Sequence, residues 1–249
     1  MSTIHLNIPK SWNELNTKTL KKIAWLYFTK KPSLELDFQL FFTLLNIRWW
    51  QIVKYLKVRK VLKYVPISEL RTHFDFLYTK ADLTTFVPHL KINGIIYEAP
   101  ANRLHNITAE QFAFCENLDF YFTQKKEIEY LRYLAASLYF YPGETFSKNT
   151  IDKKVAQFKK VDDKTLLAIA FGYKGSSAYI RAKYPVVFKK SVSTSTDKKK
   201  PTPPDLDKTI LFLVNNSTTF NGFAEAKTTN VHDYLAALTT AIKKTSNGQ

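Results

Sequence analysis

The sequence holds few of the residues that build compact chemical motifs. Among its 249 residues there is one cysteine, Cys115, and only six residues are glycine. A single thiol excludes an intramolecular disulfide and a multi-cysteine zinc site, and without a signal peptide it predicts a cytoplasmic protein. Few glycines argue against a turn-rich β-sandwich or barrel and against loops that wrap phosphates. Cys115 lies within a helical pattern, and we interpret it as a core residue.

Long apolar runs and catalytic motifs are also missing. The longest apolar stretches, around residues 23–28 and 38–47, contain polar residues and fall short of the roughly 18–20 residues that cross a membrane. The histidines are His5, His73, His89, His105 and His232. No pair of them has metal-ligand spacing, and the sequence contains no paired carboxylates, nucleophile elbow or complete phosphate loop. We therefore expect a protein that is not an enzyme, with no cofactor, metal, small-molecule ligand or membrane partner.

One glycine pair needs a separate interpretation. The segment Gly172-Tyr-Lys-Gly175-Ser176 resembles part of a phosphate-binding loop, but the Gly-Lys-Ser/Thr of such loops is missing. We interpret Gly172 as the residue that ends a helix over 163–171. Ser176 would then begin a second, short helix that ends before Pro185.

Basic residues are abundant and unevenly distributed. The formal net charge is +16, with 37 lysines and arginines against 21 acidic residues. Over residues 1–64 twelve basic residues stand against three acidic ones, so more than half of the excess lies in the first quarter of the chain. Such an excess is typical of proteins that bind nucleic acid, an anionic membrane or an acidic partner, but a solvated lysine-rich face produces it as well.

The strongest candidate for a contact segment is residues 48–63, where cations follow two tryptophans. The candidate contact residues are Trp49, Trp50, Lys54, Lys57, Arg59, Lys60 and Lys63. Cations beside aromatic rings form the combination that binds single-stranded nucleic acid, and the same side chains can contact a protein partner. The lysines of residues 189–200 would add to a nucleic-acid surface. The alternative interpretation is that the aromatic residues belong to the core and the lysines are solvated.

The sequence predicts a small antiparallel sheet. Residues 4–8 alternate apolar and polar side chains, which is typical of a strand with one buried face. Residues 89–98 carry Asn93-Gly94 between two apolar segments, and this dipeptide favours the positive φ angles of a type I′ hairpin turn. Because an isolated hairpin is marginally stable, we expect the N-terminal strand to pair with it.

Most of the remaining chain has helical periodicity. Ser11 with Glu14 and Thr108 with Gln111 have capping-box spacing, and Thr17 is an alternative cap for the first long helix. Helices are predicted over residues 17–28, 34–45, 49–66, 67–78, 108–122, 126–141, 151–160, 163–171, 176–184, 209–214 and 231–242. Residues 57–65 could form a strand instead. The predicted fold class is therefore mainly α (α+β), a multi-helix domain with a small antiparallel sheet made of the N-terminal strand and one hairpin.

Residues 189–208 separate two parts of the chain. They are polar and basic, contain three prolines and cannot bury an apolar face, which predicts a flexible linker. The main helical domain with its sheet then covers residues 1–188, and a C-terminal helical segment covers residues 209–249. This segment is too short for an independent domain, so we expect it to dock on the main body or on a partner.

Several short motifs carry a family resemblance. They are Ile8-Pro-Lys-Ser-Trp-Asn-Glu-Leu15, Leu104-His-Asn-Ile-Thr-Ala-Glu-Gln-Phe112, Ala135-Ala-Ser-Leu-Tyr139 and Ala170-Phe-Gly-Tyr-Lys-Gly175. In these motifs the chain resembles uncharacterised proteins of prophage-type gene clusters, which lie among head, tail and assembly genes. The resemblance implies a bacteriophage virion component or assembly factor, and it assigns no functional residues.

Two classes of function follow from these observations. The first is a non-catalytic, phage-derived virion component or assembly (tail or head) factor that contacts other virion proteins or further copies of itself. The second is a basic nucleic-acid-binding module that uses residues 48–63, whose binding would weaken steeply with salt. In both cases we expect the protein in the host cytoplasm, and in the first case also in the virion.

Overall fold

Helices form most of the structure, as the sequence predicts. The computed structural model describes residues 8–47, 50–79, 82–188, 206–216 and 219–247. Its helices are α1 (Thr17–Thr29), α2 (Leu34–Leu45), α3 (Ile52–Tyr64), α4 (Ile67–Leu70), α5 (Ala109–Lys125), α6 (Ile128–Leu138), α7 (Ile151–Phe158), α8 (Asp163–Lys183), α9 (Leu206–Asn216), α10 (Phe223–Thr228) and α11 (Val231–Asn247). Its strands are β1 (His89–Ile92) and β2 (Ile95–Glu98), and 3₁₀ turns cover Trp12–Glu14, Arg71–Leu77 and Asn102–Leu104.

The first long helix begins at a different cap from the predicted ones. Ser11 precedes a single 3₁₀ turn that ends at Glu14, and the Glu14 carboxylate accepts the backbone N–H of Lys10 at 2.8 Å instead of closing a capping box. The cap of α1 is Asn16, whose side chain accepts a backbone N–H from the first helical turn at 2.9 Å. Because Asn16 directly precedes the helical run, its side chain reaches this N–H. The predictions of Ser11 and Thr17 as caps are therefore wrong.

Helices α2 to α4 lie close to their predicted positions. Ser33 caps α2 and accepts the Leu36 N–H at 3.2 Å. Helix α3 is helical throughout, so the alternative of a strand over residues 57–65 is wrong. The predicted helix over 67–78 is one α-helical turn, α4, followed by a 3₁₀ segment.

The Asn93-Gly94 turn joins β1 and β2 as predicted. Asn93 has a φ of 52° and Gly94 a φ of 84°, the left-handed values that a type I′ turn requires. The two strands pair antiparallel, with His89 opposite Glu98. The backbone of Glu98 also pairs with Phe140, whose carbonyl oxygen accepts the Glu98 N–H at 2.8 Å. The hairpin is thereby attached to the segment after α6, while residues 4–7 of the predicted N-terminal strand lie outside the described residues.

Helix α8 is continuous through the predicted break. It runs from Asp163 to Lys183 without ending at Gly172, so the prediction of separate helices over 163–171 and 176–184 is wrong. Twelve of its 21 residues are buried, which makes it the central helix of the core. Helices α1 and α6 pack against it.

The two glycines of α8 allow an extended segment to pack directly on the helix. A Cβ atom on Gly172 would lie 2.7 Å from the carbonyl oxygen of Thr85, and one on Gly175 would lie 2.0 Å from that of Leu83. Cβ atoms do not approach backbone oxygen this closely, so a larger residue would push the extended segment away. The glycines therefore serve close packing, and their pattern in the sequence only resembles a helix end.

The cap of α5 is predicted correctly, but its partner residue acts differently. The Thr108 hydroxyl accepts the Gln111 N–H at 3.1 Å, as a capping box requires. The Gln111 side chain does not reach back to the cap. It donates to the carbonyl oxygen of Ser137 at 2.6 Å, which ties α5 to α6.

The C-terminal segment packs on the main body. The Val231 N–H donates to the Ile107 carbonyl oxygen at 3.0 Å, and the Ala109 N–H donates to the Thr229 carbonyl oxygen at 2.9 Å. Helix α9 begins at Leu206, three residues before its predicted start, and α10 lies between the last two predicted helices, where no helix is predicted. Residues 189–205, most of the predicted linker, lie outside the described residues.

Candidate functional site

Helix α3 differs from the other long helices because nearly all of it faces solvent. The structure describes all 13 of its residues, and Val58 is the one that is fully buried. Ile52, Val53 and Leu56 are 60%, 66% and 55% exposed. Neighbouring aliphatic side chains that remain in water are typical of an interaction site.

The exposed aliphatic residues share one side of α3 with cations. At about 100° per residue, helical geometry spreads both groups over one solvent-facing arc. This arc carries Ile52, Val53, Leu56, Lys57, Arg59, Lys60, Lys63 and Tyr64, and we call it the α3 surface. The helix contains no acidic residue, so the α3 surface is cationic with apolar side chains between the charges.

The predicted contact residues fall into three settings. Trp49 lies outside the described residues, whereas Trp50 precedes α3 and is 55% exposed. Lys54 is half-buried and lines a polar cavity of about 500 Å³ together with Glu14 and Asn16. The other four predicted cations all lie on the α3 surface. The interpretation that the aromatic residues of this segment belong to the core is therefore wrong for Trp50.

A second surface, which no motif in the sequence marks, lies between α1 and α2. It is an open groove of about 350 Å³. Its lining residues are Lys22, Trp25, Leu26, Phe38, Gln39, Phe42, Thr43 and Lys164, and we call it the aromatic groove. The Lys164 ammonium lies 5.6 Å from the centroid of the Trp25 ring. Three rings thus form the floor of the aromatic groove, and lysines from two different helices lie at its edge.

The aromatic groove adjoins α3. The ring centroids of Phe42 and Tyr55 are 5.9 Å apart, so a ring from α3 extends the aromatic floor. Sequence reasoning missed the groove, because its lining comes from three helices that only the fold brings together.

A buried charged cluster joins α5 to α8. Glu116 accepts hydrogen bonds from the Tyr173 hydroxyl at 2.8 Å, from the Ser177 hydroxyl at 2.6 Å and from the Arg181 guanidinium. Burial raises the pKa of the Tyr173 phenol and of the neighbouring Cys115 thiol, so both are neutral at pH 7. All the hydrogen bonds described for Glu116 are to residues of the fold itself. Cys115 is a core residue, as predicted. The cluster is thus a structural network between two helices.

Lys154 is a buried lysine in an aromatic enclosure. Its ammonium lies 3.6 Å from the Phe140 ring centroid and 3.0 Å from the Glu144 carboxylate. Burial lowers the pKa of Lys154 to about 8, although the Glu144 carboxylate acts in the opposite direction. A lysine with this pKa is a potential nucleophile, but the rings of Tyr97 and Phe158 also surround the ammonium. The observed contacts hold it as a structural cation.

Two histidines stack where the C-terminal segment meets the main body. The ring centroids of His105 and His232 are 4.3 Å apart. His232 Nε2 lies 3.1 Å from the Arg103 carbonyl oxygen, and Nδ1 lies 3.3 Å from the Tyr184 hydroxyl. Burial lowers the pKa of His232, an effect that the hydrogen bond to Arg103 opposes. Both ring nitrogens of His232 therefore have partners inside the fold, as expected for a structural histidine.

A cavity of about 490 Å³ with a mixed lining lies next to this junction. Arg103 lines it with a φ of 59°, and its guanidinium lies 4.5 Å from the Tyr179 ring centroid. Asn13 lines it as well, but its side chain is engaged by the Thr84 N–H at 3.1 Å. Asp82 brings a carboxylate into the same lining as the guanidinium. With both charges present, the cavity does not select one class of ligand.

The described residues also leave two kinds of site without support. Within the ranges that the structure describes, no three His, Cys, Asp or Glu side chains are placed to hold a metal ion. Among the same residues, no helix combines the length and the apolar character needed to cross a bilayer. Cations, aromatic rings and exposed aliphatic groups remain, on α3 and in the aromatic groove. No family model matches the chain, and no curated protein or solved structure does.

Proposed function

We propose that this protein is a non-catalytic virion component or assembly factor of a phage-type particle, and that it acts through protein–protein contacts at the α3 surface. The observation that carries the proposal is the exposure of Ile52, Val53 and Leu56 to at least 55% on one helix. Burying aliphatic side chains of this size stabilises a complex by about 1.5–3 kcal/mol each before the costs of association. The phage context follows from the resemblance in the short motifs.

The charge of the α3 surface defines the partner. A partner protein that is complementary to its four exposed cations has an acidic rim around an apolar patch. Two copies of the chain that met through α3 would bring like charges together. The proposed partner is therefore a different virion protein, met in the host cytoplasm during assembly and retained in the virion if this protein is a component of it.

Capture from cells that express the neighbouring genes tests this proposal. A tagged chain should retain a head, tail or assembly protein that mass spectrometry identifies, and Leu56→Asp should release it. Leu34→Asp is the matched control, because Leu34 is 66% exposed on α2, outside the α3 surface. Light scattering after size exclusion gives the mass of the captured complex. A lone monomer that retains no head, tail or assembly protein would contradict the proposal.

Nucleic-acid binding is a second candidate function, favoured by the charge of α3. Five cations and no acid occur over its 13 residues. Contacts to phosphates release counterions, so the affinity for DNA or RNA should fall steeply with salt. The double variant Lys57→Glu/Lys60→Glu should weaken binding strongly, whereas Lys153→Glu/Lys159→Glu makes the same charge change at α7 and should weaken it less. If neither DNA nor RNA binds at low salt, this function is wrong.

A further inference from the structure

We propose that the aromatic groove binds an unpaired base of a single-stranded nucleic acid, with the flanking phosphates at Lys22 and Lys164. This inference rests on nucleic-acid binding, the second candidate function, and it assigns a site outside α3. Bases of any sequence stack on aromatic side chains, and cations beside the rings follow the backbone. The aromatic groove combines both kinds of side chain within about 350 Å³.

The floor of the aromatic groove is wide and accessible. Trp25 comes from α1, and Phe38 and Phe42 come from α2. Phe38 is 38% exposed although it is a large apolar residue, so part of its ring is open to a ligand. The contact of Phe42 with Tyr55 continues the floor to α3. A strand whose base lies in the groove would therefore reach α3 on the side of Tyr55.

The edge of the aromatic groove favours an anion. Lys22 and Lys164 both line it, and none of its lining residues is acidic. Two of the acidic residues close in sequence already have partners. Glu35 pairs with a lysine outside the groove at 3.0 Å and accepts from the Gln39 amide of the lining at 2.8 Å, and Asp163 pairs with an arginine at 3.5 Å. A phosphate would thus meet two cations in a lining that itself holds no carboxylate.

The lining fits a base better than an apolar peptide. Thr43 places a hydroxyl beside the rings. The nitrogen of the Gln39 amide donates to Glu35 at 2.8 Å, and its oxygen can accept a hydrogen bond from the edge of a base. Leu26 is the one aliphatic residue of the lining, so a leucine-rich helix would find few matching side chains. Such a helix would also take two lysine side chains out of water without supplying a charge. The bases of a duplex are stacked inside it, which makes a single strand the matching ligand.

Fluorescence anisotropy with two labelled oligonucleotides tests the inference. The first is an oligothymidine of about 15 nucleotides, and the second is an abasic strand with the same number of phosphates. We expect Trp25→Leu to weaken oligothymidine binding about 5- to 100-fold and to leave the weaker binding of the abasic strand unchanged. Tyr121→Leu is the matched control, because Tyr121 is an aromatic residue that is 38% exposed on α5 and does not line the groove.

A charge variant keeps the test valid if Trp25→Leu does not fold. Lys164 lies in the first turn of α8, where an acidic residue favours the helix, so Lys164→Glu should fold normally. It should weaken the binding of both oligonucleotides and reduce the salt dependence of each.

Three results would overturn the inference. In the first, oligothymidine and the abasic strand bind with equal affinity, and only Lys57→Glu/Lys60→Glu lowers that affinity. Nucleic acid would then bind at α3 and not in the groove. If no oligonucleotide binds at low salt, both the base site in the groove and nucleic-acid binding as a function are wrong. Release of a captured protein by Trp25→Leu, with oligonucleotide binding unchanged, would assign the groove to a peptide.

Discussion

Helices α3 and α8 are both lysine-containing helices of more than ten residues, but they have opposite relations to solvent. Helix α8 buries twelve of its 21 residues, and α3 buries one of 13. The small residues of α8, such as Gly172, Gly175 and Ser176, let neighbouring segments approach its backbone. The long and branched side chains of α3 face solvent for the most part. The difference indicates that α8 serves the fold, whereas the fold depends little on α3, where we propose that a partner binds.

The comparison makes a general prediction about where substitutions act. A change in α8 or at its contacts should lower the free energy of unfolding. A change of similar size on α3 should leave that free energy almost unaltered and act on binding. The following variants test this division, beginning with the largest expected effect on stability.

Gly175→Ala should be the most destabilising of these variants. Alanine favours a helix over glycine by about 1 kcal/mol, but its Cβ atom would overlap the Leu83 carbonyl oxygen at 2.0 Å. The overlap outweighs the gain, because overpacking against backbone costs about 3 kcal/mol or more. We expect a net loss of at least about 2 kcal/mol in chemical denaturation. Gly222→Ala is the control, because its Cβ would meet nothing within 4 Å. A stable Gly175→Ala variant would contradict the close packing of α8.

Glu116→Ala should have the next largest effect. It leaves the Ser177 hydroxyl without its buried acceptor, leaves the Tyr173 hydroxyl with only the Phe112 carbonyl oxygen at 3.4 Å, and removes the ion pair with Arg181. Arg181 is 46% exposed, so most of the loss comes from the hydroxyls. We expect a loss of about 2–4 kcal/mol in the free energy of unfolding. The matched change Glu35→Ala breaks an exposed ion pair and should cost less than about 1 kcal/mol. Equal losses in the two variants would mean that the network at α8 contributes no more than a surface pair.

The parts of the fold that local chemistry determines could be predicted from the sequence. Asn93 and Gly94 tolerate positive φ, so the hairpin is specified by two residues. Ser33 and Thr108 each satisfy a backbone N–H of the helix that follows them. The role of Gly175 could not be predicted, because its packing partner is about 90 residues earlier in the chain. A glycine that ends a helix and one that admits a distant segment look the same in a sequence.

The pH dependence of stability should also come from the α8 side of the molecule. Burial lowers the pKa of His232 below 6.5, where it packs against Tyr184 at the end of α8. Below 6.5 the unfolded chain therefore takes up more protons than the folded one, and the free energy of unfolding decreases as the pH falls. His232→Gln retains a donor for the Arg103 carbonyl and should flatten this decrease. Denaturation at several pH values down to about 5 measures it. An unchanged slope would contradict the assignment to His232.

The two candidate surfaces could be predicted to different degrees. The α3 surface follows from composition, since a helix with five cations, no acids and little hydrophobic periodicity cannot be buried. The aromatic groove could not be predicted, because it exists only where α1 and α2 pack side by side. Trp25 and Phe38 lie 13 positions apart in the chain, and no spacing rule brings them together. Their arrangement in one groove was therefore visible only in the folded chain.

Lys60→Glu on α3 should have the smallest effect on stability, and an effect of opposite sign. Lys60 lies three residues from both Lys57 and Lys63, so glutamate replaces two repulsive contacts by two attractive ones. We expect the free energy of unfolding to rise by about 0.5 kcal/mol or less at low salt, and the rise to shrink as salt screens the charges. Denaturation at two salt concentrations measures both effects, and Lys60→Gln should give a smaller rise. A loss above about 1 kcal/mol would show that α3 is held in the fold as α8 is. In that case, weaker binding by Lys57→Glu/Lys60→Glu could result from unfolding as well as from the loss of a contact to the ligand.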